Sequence, residues 1–131
     1  MSLELEILMP EGVVVHENVR AVQASDASGR FGLLPGHEAF ITLLSPGVLV
    51  YRDEVGREWY VATDGGVLLM ERDHVHVVTR EAVPSASLEE VADAAAAMLE
   101  ARRARERLAR TEFSELQTTL LRQLREVQQA S

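Results

Sequence analysis

The chain has 131 residues, of which 47% are hydrophobic and 26% are charged, and its formal net charge at pH 7 is -8. This length predicts one domain, or one small domain with an appendage, and the composition is typical of a globular protein. The absence of cysteine excludes disulfides and thiolate metal sites, and all 13 basic residues are arginine. The acidic balance argues against a nucleic-acid partner, because phosphate neutralisation needs a basic surface.

Two further features bear on where the chain resides. No apolar run approaches the roughly 20 residues that span a bilayer, so we expect no direct insertion into a membrane. The N-terminus, MSLELEILMP, lacks the basic start of a signal peptide. We therefore expect the chain to stay in the compartment where it is made.

Up to about residue 80 the hydrophobic pattern has a period of two, as in half-buried strands. The stretch LELEILM, residues 3–9, places apolar side chains on one face and glutamates on the other. Further short, valine-rich stretches follow, separated by turn signals such as Pro46-Gly47 and Gly65-Gly66. Such strands at intervals of about 8–12 residues predict an antiparallel sandwich or barrel. The Gly65-Gly66 pair is interpreted as a bulge or tight turn between two strands.

After Pro84 the period becomes that of a helix. We predict two helices, over residues 87–109 and 114–128, joined near residues 110–113. No glycine or proline marks this joint, so the sequence also allows one long helix.

The predicted β domain, residues 1–84, and the predicted helical domain, residues 85–131, differ in charge. The first holds six arginines against thirteen acidic residues, and the second holds seven arginines against eight. Five of those seven arginines fall in RRARERLAR, residues 102–110, where only Glu106 opposes them. A local basic patch on an acidic protein suits docking to an anionic partner.

Two histidines offer the main candidate for chemistry. His74 and His76 alternate on a predicted strand and share one face, a spacing that metal-binding barrels use. With His37 or Glu71 as a third ligand they predict a small metal-dependent β-barrel enzyme, and otherwise they simply face solvent. No serine lies in a nucleophile elbow, and no glycine-rich run precedes a helix as phosphate loops require. We therefore expect no active site and no cofactor, and retain the metal site as an alternative.

Three stretches together resemble the epsilon subunit of F-type ATP synthases, called delta in mitochondria. LEILMPEGVVVHENVRAV is similar to the first two strands of that family and the turn between them. GRFGLLPGHEAFITLLSPGVL resembles its motif G-x-x-G-[IVL]-x-P-G-H, followed by an apolar strand and a second Pro-Gly. ATDGGVLLMERDHVHVVTREA resembles its paired-glycine hairpin and last strands. The resemblance covers residues 3–82, and beyond them it rests on a helical hairpin of the right length.

This resemblance implies a flattened antiparallel β-sandwich of about ten strands, followed by a C-terminal α-helical hairpin. It also implies a non-catalytic rotor subunit that couples the catalytic head to the c-ring during ATP synthesis and proton or sodium transport. One sandwich face is expected to bind the gamma subunit of the central stalk. The hairpin is expected to lie on the sandwich or extend into the α/β catalytic head and restrain ATP hydrolysis. The expected location is the cytoplasmic face of the bacterial cell membrane, as a peripheral part of the complex.

The resemblance also assigns residues to these contacts. The loop expected to meet the polar loops of the c-ring contains Arg30, Phe31, His37 and Glu38. The residues expected to meet the catalytic head are Arg102, Arg103, Arg105 and Arg107. The positions expected to allow turns or close approach are Gly29, Gly32, Pro35, Gly36, Gly65 and Gly66.

Several positions depart from the family pattern. Arg30 stands where the family often has an acidic residue, and it suits a more acidic partner loop. Glu38 and Ala39 replace the commoner Ala-Pro after the histidine, and Asp64 replaces the usual serine. Residues 88–93, LEEVAD, lack the arginine of the family motif [I/L]-D-x-x-R-A, so we predict no specific ATP binding.

Beside the rotor subunit and the metal-dependent enzyme, a third function remains open. It is that of an unrelated β-sandwich adaptor whose hairpin docks another helical partner.

Overall fold

The structure is a computed structural model that describes residues 1–130. Within that range nine strands precede one helix. The elements are β1 (Leu3–Met9), β2 (Gly12–Asp26), β3 (Gly29–Leu33), β4 (Phe40–Leu44), β5 (Gly47–Asp53), β6 (Glu58–Thr63), β7 (Gly66–Glu71), β8 (His74–Val78), β9 (Ala82–Ser85) and α1 (Leu88–Ala130). The chain divides into two compact units, Met1–Leu99 and Glu100–Ser131.

The alternating pattern of the first strand decides which of its sides faces the core. Leu3, Leu5 and Ile7 have no exposed surface, whereas Glu4 and Glu6 between them stay partly exposed. Successive side chains of a strand point to opposite faces, so one register satisfies all five positions. The other buried aliphatic side chains of the sheet, including Leu33, Leu49, Leu68 and Val75, pack with these into one core.

The nine strands form one sheet that curls on itself. Its order is β1-β8-β7-β4-β2-β5-β6-β9, with β3 added on β2 and a further pairing of β1 with β2. The last pairing closes a ring of five strands, namely β1, β8, β7, β4 and β2. Directions cannot alternate around a ring with an odd number of members, so one pair must be parallel. That pair is β1 and β8, the one parallel pairing in the otherwise antiparallel sandwich that the described strands form.

The Gly65-Gly66 pair connects two strands that do not pair with each other. Strand β6 pairs with β5 and β9, whereas β7 pairs with β4 and β8. The expected hairpin at this position is therefore a crossover within the sheet. Gly66 has φ +127°, and a Cβ there would lie 2.2 Å from the Val78 carbonyl oxygen, so glycine is required by close approach.

The other predicted turn positions are distributed as follows. Pro35 and Gly36 form the centre of a turn closed by a hydrogen bond from the His37 N–H to the Leu34 carbonyl oxygen, 3.1 Å long. Gly29 begins β3 with φ +120°. Gly32 lies within β3 rather than in a turn, and a Cβ there would meet only ordinary contacts at 3.9 Å. The structure thus gives no steric reason for glycine at that position.

Helix α1 begins against the sheet. The Ser87 hydroxyl oxygen accepts a hydrogen bond from the Glu90 N–H at 3.3 Å, an N-cap interaction. Val91 and Met98 are buried in a cluster that contains Ala62, with the partly buried Val48 and Tyr60 against it. The first turns of α1 therefore belong to the same compact unit as the strands.

The helix continues without interruption through residues 110–113, so the two predicted helices form one in the structure. No helix breaker occurs there, and the Thr111 hydroxyl donates to the Arg107 carbonyl oxygen one turn earlier, at 3.1 Å. That bond lets threonine sit within a helix interior. From residue 103 to residue 130 every side chain is exposed. Within residues 1–130, no helix combines the length and the apolar character that a bilayer crossing needs.

Candidate partner-binding surface

Strands β4, β7 and β8 present aliphatic side chains to solvent. The register pairs Ile41 with Leu69 and Leu43 with Val67, and it pairs Val67 in turn with Val78. Directly opposed residues lie on the same face of a sheet, so these five side chains are contiguous. Ile41 is 68% exposed and Leu43 is 73% exposed. We call this set the apolar face.

The row next to the apolar face is polar and titratable. It consists of Glu4 and Glu6 on β1, His16 on β2, and His74 and His76 on β8, which we call the His–Glu cluster. His76 is paired with Leu69 in the β7–β8 register, so the cluster and the apolar face share one surface. The rings of His74 and His76 stack with their centroids 6.1 Å apart and their planes at 7°.

Each histidine of the cluster lies beside a carboxylate. His16 Nε2 is 2.7 Å from Glu4 Oε1, and His74 Nδ1 is 3.2 Å from Glu4 Oε2. His76 Nδ1 is 3.6 Å from Glu6 Oε1. The hydrogen bond between Glu4 and His16 lowers the pKa of the Glu4 carboxyl below its ordinary value and raises the pKa of the His16 imidazole.

This arrangement does not assemble the metal site that the histidine spacing suggested. Glu71 is paired with His74 in the register, whereas His37 contacts Phe40 through its ring instead. No group of three potential ligands with metal-binding geometry occurs in the part of the chain that the structure describes. The carboxylates closest to the imidazoles are those of Glu4 and Glu6 on β1, so the histidines neighbour carboxylates and do not share a set of metal ligands.

The four residues predicted to meet a c-ring loop fall into two settings. The rings of Phe31 and Phe40 pack edge to face at 5.3 Å, and those of His37 and Phe40 do so at 5.9 Å. The His37 Nδ1 atom lies 2.8 Å from the Glu38 carbonyl oxygen. The Arg30 guanidinium donates to the Ser25 hydroxyl at 3.2 Å and to the Val48 carbonyl oxygen at 3.3 Å, which holds it along the sheet.

The turn that carries His37 is tied to a second turn. The Gly36 N–H donates to Asp73 Oδ1 at 2.8 Å, and Asp73 lies in the β7–β8 turn. The Asp73 carbonyl oxygen in turn accepts from the Glu4 N–H at 2.8 Å. The segment around His37 is therefore positioned by the same strands that carry the His–Glu cluster.

The arginines of the second compact unit lie on α1. Arg102 is 3.5 Å from Glu106, and Arg107 is 3.3 Å from Glu100. Arg103 and Arg105 are exposed. Ion pairs between exposed side chains on a helix are weak, so these arginines retain their capacity to bind an anionic partner.

Comparison with known sequences identifies the family to which this chain belongs. Residues 2–85 match the sequence model of the family described as "ATP synthase, Delta/Epsilon chain, beta-sandwich domain". The chain belongs to the ATP synthase delta/epsilon family. This confirms the resemblance seen in the sequence and the expected sandwich, with nine strands in place of about ten.

Relatives in this family extend the similarity beyond the strands. The ATP synthase epsilon chain 2 of Cereibacter sphaeroides is 42% identical over 90 residues, which are 67% of this chain and 62% of that relative. The epsilon chain 2 of Paraburkholderia xenovorans is 36% identical over 129 residues, which are 94% of this chain and 90% of the relative. The chain thus spans less than two thirds of the first relative and most of the second.

Comparison with a solved structure supports the same family and the same fold. A chain in the cryo-EM structure of the Euglena gracilis mitochondrial ATP synthase, OSCP/F1/c-ring in rotational state 1, superposes with a TM-score of 0.61. The two chains are 29% identical, and the match covers 79% of this chain and 64% of the other. Both the sandwich fold and the family therefore rest on independent comparisons.

Sequence reasoning missed the apolar face. The stretches FITLL and GVLLME are apolar at consecutive positions rather than at alternate ones. Such runs indicate a strand with apolar side chains on both faces, one toward the core and one toward something else. The sequence predicted only part of the His–Glu cluster. The spacing of His74 and His76 placed them on one face, but nothing in it indicated that Glu4 and Glu6 of β1 lie beside them.

Proposed function

We propose that this chain is the epsilon subunit of an F-type ATP synthase, a non-catalytic part of the central stalk that couples the catalytic head to the c-ring. Its family membership and its similarity to a chain of the Euglena assembly support this proposal. Because the epsilon chains of Cereibacter sphaeroides and Paraburkholderia xenovorans are bacterial, we place the subunit peripherally on the cytoplasmic face of the bacterial cell membrane. In this role it serves ATP synthesis and proton or sodium transport without a bound cofactor.

The observation that carries the proposal is the apolar face. A contiguous set of exposed aliphatic side chains on a rigid sheet is typical of a protein-binding site. Its residues come from three paired strands, so the face is held in place by the fold rather than formed on binding. We propose that the gamma subunit of the central stalk covers it.

The test is binding to the gamma subunit of the same organism. Leu43→Glu places a charge on the apolar face at a side chain that is 73% exposed in the free chain. Val55→Glu is the matched control, since Val55 is 82% exposed and lies in the β5–β6 turn. Burying an unpaired carboxylate disfavours binding strongly, so Leu43→Glu should weaken the complex at least tenfold and Val55→Glu should not. Equal affinity of the two variants would exclude the apolar face as the contact.

The division of roles between the segments is also proposed. We assign residues 1–84 to stalk attachment and c-ring contact, and residues 85–131 to regulation. Co-elution of the full chain with the gamma subunit should therefore survive substitutions confined to the second segment. Loss of the complex on such substitutions would assign attachment to the helix instead.

The loop contact with the c-ring is proposed for Arg30, Phe31, His37 and Glu38. The support is that an aromatic cluster and a hydrogen bond to Asp73 fix this region, so its polar groups are presented in one arrangement. With arginine at position 30, the matching c-ring loop should be acidic. Arg30→Glu should then reduce ATP-driven ion pumping in the reconstituted enzyme. Arg57→Glu, on the β5–β6 turn, is the control expected to leave pumping unchanged.

The arginines of α1 are proposed to contact the α/β catalytic head and restrain ATP hydrolysis. Exposed arginines on one helix steer association with an acidic surface and add specificity. Replacing Arg102, Arg103, Arg105 and Arg107 together by glutamine should raise the hydrolysis rate of the assembled enzyme. Replacing Arg122 and Arg125 on the same helix is the charge control. If both variants restrain hydrolysis as the native chain does, the arginine run has no such role.

A further inference from the structure

The polar half of the candidate surface carries an acidic charge that depends on pH. The carboxylates of Glu4, Glu6 and Glu71 supply up to three negative charges, and each histidine beside them adds a positive charge only when it is protonated. Three histidines lie among these carboxylates, so protonating them changes the local charge from about -3 to about zero. A basic partner is therefore attracted when the histidines are neutral and loses that attraction when they are protonated.

Every strand around the histidines contributes to this balance. His16 on β2 faces Glu4 and Glu6 on β1. His74 on β8 lies between Glu4 on one side and Glu71 of β7 on the other.

His76 faces Glu6 on β1 on one side and the aliphatic Leu69 on β7 on the other. The adjoining β7–β8 turn adds Arg72 and Asp73, which have opposite charges and leave the balance unchanged. The row is thus acidic whenever its histidines are neutral.

We infer that the apolar face and the His–Glu cluster form one two-part docking surface, fitted to a stalk segment that carries an aliphatic row flanked by arginine or lysine, and that acidification weakens its docking. This inference rests on the proposed function, because the gamma subunit supplies that segment. Continuity supports a joint surface, since the cross-strand pair of His76 and Leu69 joins its two halves. Charge complementarity supports the basic partner.

Docking and protonation compete for the same carboxylates. In the free chain the Glu4 carboxylate is a hydrogen-bond partner of the His16 imidazole, which raises the pKa of that imidazole. When a partner's cation takes that place and water is excluded, the charged imidazolium is disfavoured. Docking therefore expels protons from the cluster. Each histidine that must lose its proton weakens binding about tenfold for each pH unit below its free pKa.

The experiment measures the affinity of the full chain for the gamma subunit of the same organism between pH 8 and pH 5.5. We expect a loss of at least about tenfold over this range if docking requires one histidine of the cluster to lose its proton. Replacing His16, His74 and His76 together by glutamine should keep binding at pH 8 within about threefold and flatten the pH profile. Val55→Gln, in the β5–β6 turn, is the control and should keep the native profile.

A second readout needs no variant. Calorimetry of the native complex at pH 6.5, in two buffers of different ionisation enthalpy, should show net proton release on binding. A flat profile for the native chain, a profile that persists in the triple variant, or no proton release would each overturn the inference. Absence of binding at pH 8 would instead overturn the proposed function and this inference with it, so the two failures are distinguishable.

Discussion

Substitution of Gly66 by alanine tests the close approach of strands β7 and β8. The new Cβ would lie 2.2 Å from the Val78 carbonyl oxygen and 3.1 Å from the Thr79 Cα. A Cβ essentially never lies within 3.0 Å of a neighbouring heavy atom, so the start of β7 must move by about 1 Å away from its neighbour. That movement strains the pairing of Val67 with Val78, the last rung of the β7–β8 ladder.

Two costs contribute to the expected loss of stability. Holding a non-glycine residue at φ +127° costs about 1–3 kcal/mol. Inserting a methyl group into a packed site costs about 1–3 kcal/mol more. We therefore expect Gly66→Ala to lower the free energy of unfolding by about 2–6 kcal/mol, a large part of the stability of a typical domain.

Gly29→Ala is the matched control. Gly29 has φ +120°, close to that of Gly66, but no atom lies within 4 Å of its would-be Cβ. Both variants lose the same backbone freedom in the unfolded chain, so the difference isolates the clash. Urea unfolding, followed by fluorescence of the partly buried Trp59, should separate the two variants by about 2 kcal/mol. Equal losses in the two variants would refute the close approach.

Three further predictions concern the helix and two titrating groups. Val91→Ala should destabilise the chain by about 2 kcal/mol in urea unfolding because Val91 is fully buried, whereas the exposed Leu124→Ala should change stability by less than about 0.5 kcal/mol. Burial raises the pKa of the Tyr51 hydroxyl to about 12, so the tyrosine ionises first in the unfolded chain and stability should fall between about pH 10 and pH 12. Urea unfolding of Tyr51→Phe should show a smaller fall over this range, since Tyr60, whose pKa is raised by its hydrogen bond to Glu58, still contributes. The hydrogen bond from Trp59 lowers the pKa of Asp53, which stabilises the fold above the ordinary aspartate pKa of about 4 and loses that effect as the pH falls. Trp59→Phe should therefore lose less stability on acidification, and carboxyl NMR should show a higher pKa for Asp53.

Local patterns were sufficient to predict the strands but not their partners. The alternation in residues 3–9 placed Glu4 and Glu6 on the face opposite the core, as found. Nothing local to that segment shows that β8 joins it in parallel, because that pairing follows from closing a five-stranded ring. The same limit explains the Gly65-Gly66 crossover, since a pair of glycines permits a hairpin and a crossover equally well.

For the helix, in contrast, the sequence alone was sufficient, because no helix-breaking residue separates the two predicted helices. Residues 110–113 contain neither glycine nor proline, and Thr111 satisfies its hydroxyl within the helix. A polar, β-branched residue lowers helix propensity by only a few tenths of a kcal/mol, which is too little to end a helix. The division into two helices therefore rested on a weak signal, and the continuous helix is the state that local energetics favour.

Hydrophobic residues make up 47% of the chain, and not all of them lie in the core. Many of the others form two exposed apolar surfaces. One is the apolar face of the sheet. The other lies on α1, where exposed apolar side chains recur at intervals of three or four residues, at Leu116, Leu120, Leu124 and Val127. A helix with such a stripe gains most of its stability from packing rather than from propensity. One of these surfaces is fixed by strand pairing and the other by helical spacing, and exposed apolar patches of this kind are typical of protein-binding sites.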